Sequence, residues 1–241
     1  MKKIQIGKTD LTASNIVLGC MSMHRLNAKE ASKVIDKALE LGINFFDHAD
    51  IYGAGESEKI FGKAIDLKSE IRENIFIQSK ASIRKGYYDS SKKYILESVD
   101  KILKRLNTDY LDFFLLHRPD ALIDPLEVRD AFDELEKSGK VRQFGVSNYN
   151  SMQIELLKKY ISQDITINQM QLSAAHTGMI DQGINVNTNH ENAYMKDGSV
   201  IDYSRLHDIT LQAWSPVRKD WEVFLNNPDF PLLNKKLKEV G

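Results

Sequence analysis

From residue 15 onward the chain alternates between two hydrophobic periods. Short runs of β-branched and aromatic residues, the pattern of buried strands, are each followed by a longer stretch with apolar positions at helical spacing. "NIVLGCM" precedes "NAKEASKVIDKALELG", "INFFDHA" precedes "SEKIFGKAIDL", and "NIFIQSK" precedes "SSKKYILESVDKILKRL". "YLDFFLLH" then precedes "DPLEVRDAFDELEKSG", and "VRQFGVSN" precedes "NSMQIELLKKYI". "ITINQMQLS" opens onto an irregular region, residues 173–198, rich in Asn, Gly and His. The helical piece "SVIDYSRLHD" leads into "ITLQAWS", and "FPLLNKKLKEV" is helical again. Capping residues agree with these bounds. Asn27 and Glu30 form a capping box and Gly42 a C-terminal stop, while Asp124 caps a helix with Pro125 at its first position.

Strand–helix alternation without a linker implies a parallel sheet with helices packed outside it. An open dinucleotide-binding sheet would carry G-x-G-x-x-G after its first strand. The turn here reads "GCMSMHRLNAKE", and the later "GAGES" is only a turn. The opening "KKIQIGKTDLTAS" reads as a small hairpin before the first barrel strand. The expected fold is therefore α/β, a (β/α)8 TIM barrel forming one domain over residues 1–241. Seven strand–helix units are visible and the eighth is absent, as in a truncated or incomplete barrel.

Composition narrows the functional classes. A formal net charge of −1 offers no footprint for nucleic acid or an anionic membrane, and 42% hydrophobic residues suffice for a large core. No window approaches the roughly 18 apolar residues of a membrane span. The N-terminus lacks the apolar core of a signal peptide, so a cytoplasmic location is expected. Cys20, the single cysteine, sits in "IVLGCMSM" and reads as a small core residue.

In such a barrel, chemistry collects at the C-terminal ends of the strands. The second strand ends in Asp47, with Tyr52 in the following loop; the third ends in Lys80 and the fourth in His117. The fifth ends in Ser147 and Asn148, the sixth in Asn168, Gln169 and Gln171, and the seventh in Trp214 and Ser215. A phenol has a pKa of about 10, too high for ready proton donation at neutral pH. An ammonium such as Lys80 would stabilise the phenolate and lower that value, and Asp47 would hold the lysine charged. His117 could donate to a carbonyl oxygen gaining negative charge. Such a set suits carbonyl reduction, with hydride drawn from a cofactor because no side chain supplies one. The amides of Asn148 and Gln169 could hold a carboxamide, and Trp214 offers a flat face to a nicotinamide ring.

At these residues the chain resembles the aldo-keto reductase superfamily, nearest to its bacterial short-loop members. The matching motifs are "FFDHADIYG", "QSK", "LLHRPD", "FGVSN", "INQMQLS" and "AWSP", in order over residues 1–216. The resemblance implies NADP(H)-dependent reduction of aldehydes or ketones, with Asp47, Tyr52, Lys80 and His117 in catalytic roles and Tyr52 as the general acid. It places Ser147, Asn148 and Gln169 at the nicotinamide carboxamide, Trp214 on the ring and Ser215 near the pyrophosphate. The family's eighth unit, with its grip on the adenosine 2′-phosphate, has no counterpart before Gly241. Unpaired first and seventh strands are costly, so weak cofactor binding and a marginal fold are expected unless dimerisation or a further segment closes the barrel.

Two other readings compete. His48 and Asp50 form H-x-D, which could seed a metal-dependent barrel hydrolase, although Lys80 then occupies a strand end where a ligand is needed. A sensing or scaffold protein could keep the nucleotide contacts without turnover. Met21, Met23, Tyr87 and Trp221 are candidates for pocket lining or for packing.

Overall fold

A computed structural model describes residues 1–67, 70–194, 197–219 and 222–240; Trp221 lies outside the described residues. A hairpin of Lys3–Gln5 with Thr12–Ser14 comes first. Seven parallel strands follow: β1 (Leu18–Gly19), β2 (Phe45–Asp47), β3 (Phe76–Ala81), β4 (Leu111–Leu116), β5 (Val141–Ser147), β6 (Ile165–Gln171) and β7 (Thr210–Trp214). They lie side by side in chain order, the arrangement that right-handed crossovers through outer helices generate. The sheet curls as in a (β/α)8 barrel, and among the described residues β1 and β7 each pair on one side only.

The helices are α1 (Ala28–Glu40), α2 (Glu56–Ala64), α3 (Lys92–Leu106), α4 (Pro125–Lys137), α5 (Ser151–Lys158), α6 (Gly178–Ile184), α7 (Val200–Leu206) and α8 (Pro231–Val240). The capping box of Asn27 and Glu30 forms, and Asp124 accepts from Leu126 N with Pro125 at the first position. An equivalent box joins Asn150 to Gln153 at α5. Gly62 permits a close crossing of α2 over α3, since a Cβ there would meet the Leu106 carbonyl oxygen at 2.5 Å.

The two-residue period of the strands divides the core. Outward side chains such as Phe46, Ile77, Phe114 and Phe144 pack against the helices in one large cluster. Phe45, Phe113, Leu115 and Ile167 form a second cluster with Ile6 and Ala13 of the hairpin. That apolar plug fills the barrel's lower end, with Phe45 and Phe113 stacked at 5.3 Å.

One α-helix and two hairpins are among the pieces absent from the hydrophobic pattern. Helix α6 lies inside the irregular region, and two short hairpins, Ile83–Arg84 with Tyr87–Tyr88 and Arg218–Lys219 with Glu222–Val223, follow β3 and β7. Two-residue strands are too short to show a period. The turn of the first hairpin depends on Gly86, at φ +89°.

Candidate active site

Parallel strands place all their C-terminal ends on one face, so the strand-end residues converge. Asp47 and Lys80 project inward from neighbouring β2 and β3, and Lys80 Nζ lies 2.5 Å from Asp47 Oδ1. Lys80 is fully buried. Burial opposes its charge, yet the Asp47 carboxylate and the Tyr52 oxygen, itself a hydrogen-bond partner, hold its pKa above that of an ordinary lysine. The ammonium therefore persists inside the barrel.

Tyr52 opens the 3₁₀ turn Tyr52–Gly55, whose Gly53, Ala54 and Gly55 are all left-handed. That turn folds the loop back so that the Tyr52 ring centroid sits 5.2 Å from Lys80 Nζ and 6.1 Å from the His117 ring. Its acidity departs from the expectation. Burial raises the phenol's pKa, and the nearby ammonium offsets this only in part. The sequence pattern reveals the cation but not the depth of burial, and burial wins.

His117 follows β4, its N–H donating to the Ala81 carbonyl. Burial, then Lys80 and Arg118, push its pKa down to about 2, so the imidazole is neutral. Its Nδ1 is buried and without a partner among the described residues.

A second group stands on β5, β6 and β7. Ser147 Oγ donates to the Gln169 carbonyl at 2.9 Å and accepts from Asn148 Nδ2 at 2.8 Å. Asn148 adopts a left-handed backbone, φ +62°, and its Oδ1 accepts from Trp214 Nε1 at 3.1 Å. Ser215 follows Trp214 with φ +54°, and among the described residues its side chain joins neither group. Asn168 turns away, donating to the Tyr149 carbonyl at 2.9 Å.

The hydrophobic pattern did not single out the two residues joining these groups. Gln78, fully buried two residues before Lys80, donates from Nε2 to Asp47 Oδ1 at 2.6 Å and to Gln212 Oε1 at 3.0 Å. Gln169 Nε2 donates to the same Gln212 oxygen at 3.1 Å. Their signal was available: "FIQSKA" and "TLQAW" each place an amide on the inward parity of an otherwise apolar strand.

His48 points the other way. It is fully buried against Phe61, with ring centroids 4.5 Å apart, and neither ring nitrogen has a partner among the described residues. Burial, then Lys80, lower its pKa to about 3. It is packing behind the sheet rather than pocket wall. Asp50 also faces outward and accepts from Tyr94 OH at 3.1 Å. Behind Lys80, Glu58 accepts from Ser79 Oγ at 2.7 Å and pairs with Arg105 at 2.6 Å. Met23 is buried, whereas Met21 and Tyr87 are exposed. No helix among the described residues is long and apolar enough to cross a membrane.

The donor set of the second group fits a nicotinamide carboxamide. A hydroxyl and two amides lie beside an indole, and next to this group the Nε2 donor of the bridging Gln212 is buried without a partner among the described residues.

Residues 15–223 match the Aldo/keto reductase family. The chain is 37% identical over 241 aligned residues to the uncharacterized oxidoreductase YcsN of Bacillus subtilis (strain 168), covering 95% of this chain and 74% of that one. It is 30% identical over 222 residues to 6-dehydroglucose reductase of Novosphingobium aromaticivorans, covering 88% and 68% of the two chains. Among solved structures it is similar to the holo form of aldo-keto reductase AKR11C1 from Bacillus halodurans. The TM-score is 0.71 at 29% identity, over 99% of this chain and 76% of that one.

Proposed function

The chain belongs to the aldo/keto reductase family, and from that premise we propose that it reduces aldehydes or ketones to alcohols with NADPH, Tyr52 supplying the proton. One observation carries the reading: a fully buried Lys80 bridges the Asp47 carboxylate and the Tyr52 hydroxyl, next to a group suited to a carboxamide. The nicotinamide, when bound, supplies the hydride. Ser147, Asn148 and Gln169 would hold its carboxamide and Trp214 its ring, while Ser215 is assigned the pyrophosphate end on family likeness alone.

The chain's own residues account for the proton. A raised pKa keeps the Tyr52 phenol protonated at neutral pH, so the proton is in place before reaction. As it leaves, the Lys80 ammonium stabilises the phenolate, and Asp47 keeps that ammonium from being an isolated buried charge. His117, held neutral, can donate one hydrogen bond to the carbonyl oxygen as its charge grows.

The test is NADPH consumption with a panel of aldehydes and ketones. Tyr52→Phe should lower kcat by about 10²- to 10⁴-fold with cofactor affinity unchanged. Undiminished turnover in that variant would sink the acid assignment. NADPH binding without turnover on any substrate would favour a sensing role, and turnover that disappears with a chelator would revive the metal reading of His48 and Asp50.

A further inference from the structure

Gln78 and Gln212 belong to neither group of the proposed site, yet they connect them. Gln78 sits in register with Asp47, and Gln212 in register with Gln169. Strand β3 is four positions from β7 in the sheet, so the Gln78–Gln212 contact crosses the barrel interior rather than following a ladder. The result is one unbroken chain of amides. Gln169 Nε2 donates to Gln212 Oε1, Gln78 Nε2 donates to that same oxygen, and Gln78 Nε2 also donates to Asp47 Oδ1. It lies as a polar floor above the apolar plug of Phe45, Phe113, Leu115 and Ile167.

The floor has a direction, set by its donors. Among the described residues, Asp47 Oδ1 takes two donors, Lys80 Nζ and Gln78 Nε2. Whatever holds Gln78 thus helps decide how the carboxylate shares its charge with Lys80, and Lys80 in turn contacts Tyr52. At the far end, Gln169 is the residue assigned to the cofactor carboxamide. Any rearrangement of its amide to accept that group alters what Gln212 Oε1 receives. Gln78 Oε1 and Gln212 Nε2 are buried and have no partner among the described residues, so both amides have spare capacity for a second arrangement.

We propose that Gln78 and Gln212 are positioning residues that couple the seating of the nicotinamide carboxamide on Gln169 to the Asp47–Lys80–Tyr52 proton-transfer set. The proposal rests on the reductase reading. Without Gln212, the Gln78 amide loses its anchor and its hold on Asp47 slackens. The carboxylate then draws Lys80 more strongly, and Tyr52 loses part of its stabilising cation.

The test uses Gln78→Leu, Gln212→Leu and the double variant. Tyr52 ionisation is followed in cofactor-free protein by ultraviolet difference titration against Tyr52→Phe, and NADPH affinity by fluorescence quenching. Both single variants should shift the Tyr52 midpoint upward. Each should weaken NADPH binding by about tenfold and lower kcat by about tenfold with carbonyl KM within about twofold, and the double variant should be no worse than the worse single. Gln212→Leu is the decisive variant because it touches neither Asp47 nor Lys80 and lies on half-buried β7, so it decides even if Gln78→Leu does not fold. An unchanged Tyr52 midpoint in Gln212→Leu, or strictly additive losses, would overturn the coupling. If the native chain neither binds NADPH nor turns it over, the reductase reading fails, whereas the titration still decides the relay.

Discussion

Asp47 and Asp50 are three residues apart and face opposite sides of the sheet. Asp47 meets Lys80 and Gln78 in the interior, while Asp50 meets Tyr94 of α3 and keeps Oδ1 buried and unpartnered among the described residues. Burial raises the Asp50 pKa to about 6, with Glu58 adding to the rise against the hydrogen bond from Tyr94. An unfolded aspartate titrates near pH 3.9, so between roughly pH 4 and 6 the folded state holds a proton that the unfolded state has lost. Stability therefore falls as pH rises through that window. Asp50→Asn should be more stable than the parent by about 1–3 kcal/mol at pH 7, the difference vanishing below about pH 4. Urea melts of both proteins across that range check it. His48 and His117, held neutral, act oppositely, costing stability as pH falls below about 6.5. That cost is common to both proteins and cancels. Strand-end position was enough to bring Asp47, Lys80 and His117 forward as candidates, because apolar runs break there. It did not reveal the sign of the Tyr52 shift, since burial belongs to the folded loop. Nor did it reveal Gln78 and Gln212, because their meeting depends on two distant strands facing across a barrel.

At the scale of elements, the 3₁₀ turn Glu70–Asn74 shows how a connection is locked. Its Arg72 is 4% exposed, and its donors reach Thr108 Oγ1 at 3.1 Å and the carbonyls of Ile75 at 3.1 Å and Tyr110 at 2.9 Å. Arg72 also pairs with Asp112 at 2.8 Å, and its guanidinium lies 3.7 Å from the Tyr110 ring centroid. Asp112 takes a second cation from Arg142 at 3.1 Å and a backbone donor from Ile77 at 2.9 Å. This ties the start of β3 to the start of β4, at the end away from the candidate site. Breaking a buried pair strands its partner, so Arg72→Met should cost about 3–5 kcal/mol. Arg142, half-exposed, is the weaker partner, and Arg142→Met should cost about 1 kcal/mol or less. Denaturant midpoints decide; equal losses would mean that Asp112 depends on both cations alike. Elements of this kind are the least legible in one dimension. Helices announce themselves through caps, as Asn27 and Asp124 do. A five-residue turn whose value lies in one arginine's distant contacts carries no period.

At the scale of the molecule, the curl of the sheet is held from beneath. Strands β1 and β7 do not pair with each other, and β7 is half-buried along most of its length, with Ala213 exposed. The N-terminal hairpin contacts both sides of the sheet. Ser14 N donates to Asn44 Oδ1 at 2.8 Å just before β2, and Gly7 N donates to Thr210 Oγ1 at 2.7 Å on β7. Gly7 adopts φ +54°, where a Cβ would stand 3.0 Å from the Thr166 carbonyl oxygen, so glycine is required at that approach. Between these anchors Ile6 and Ala13 complete the apolar plug on which the amide floor rests. The hairpin thus acts as a staple across the barrel's lower end, and the geometry of the floor depends on it. Thr210→Val keeps the shape and removes the acceptor, leaving the Gly7 N–H without its partner at a cost of about 1–3 kcal/mol. Gly7→Ala should cost at least about 1 kcal/mol through the left-handed backbone alone. Because both act on one contact, their combination should cost less than the sum, a coupling of about 0.5 kcal/mol or more in a double-mutant cycle. The same variants should loosen NADPH binding although neither residue approaches the strand ends, since the staple holds β7 and its Gln212 in place. Additive losses with untouched NADPH affinity would show instead that the hairpin only plugs the barrel.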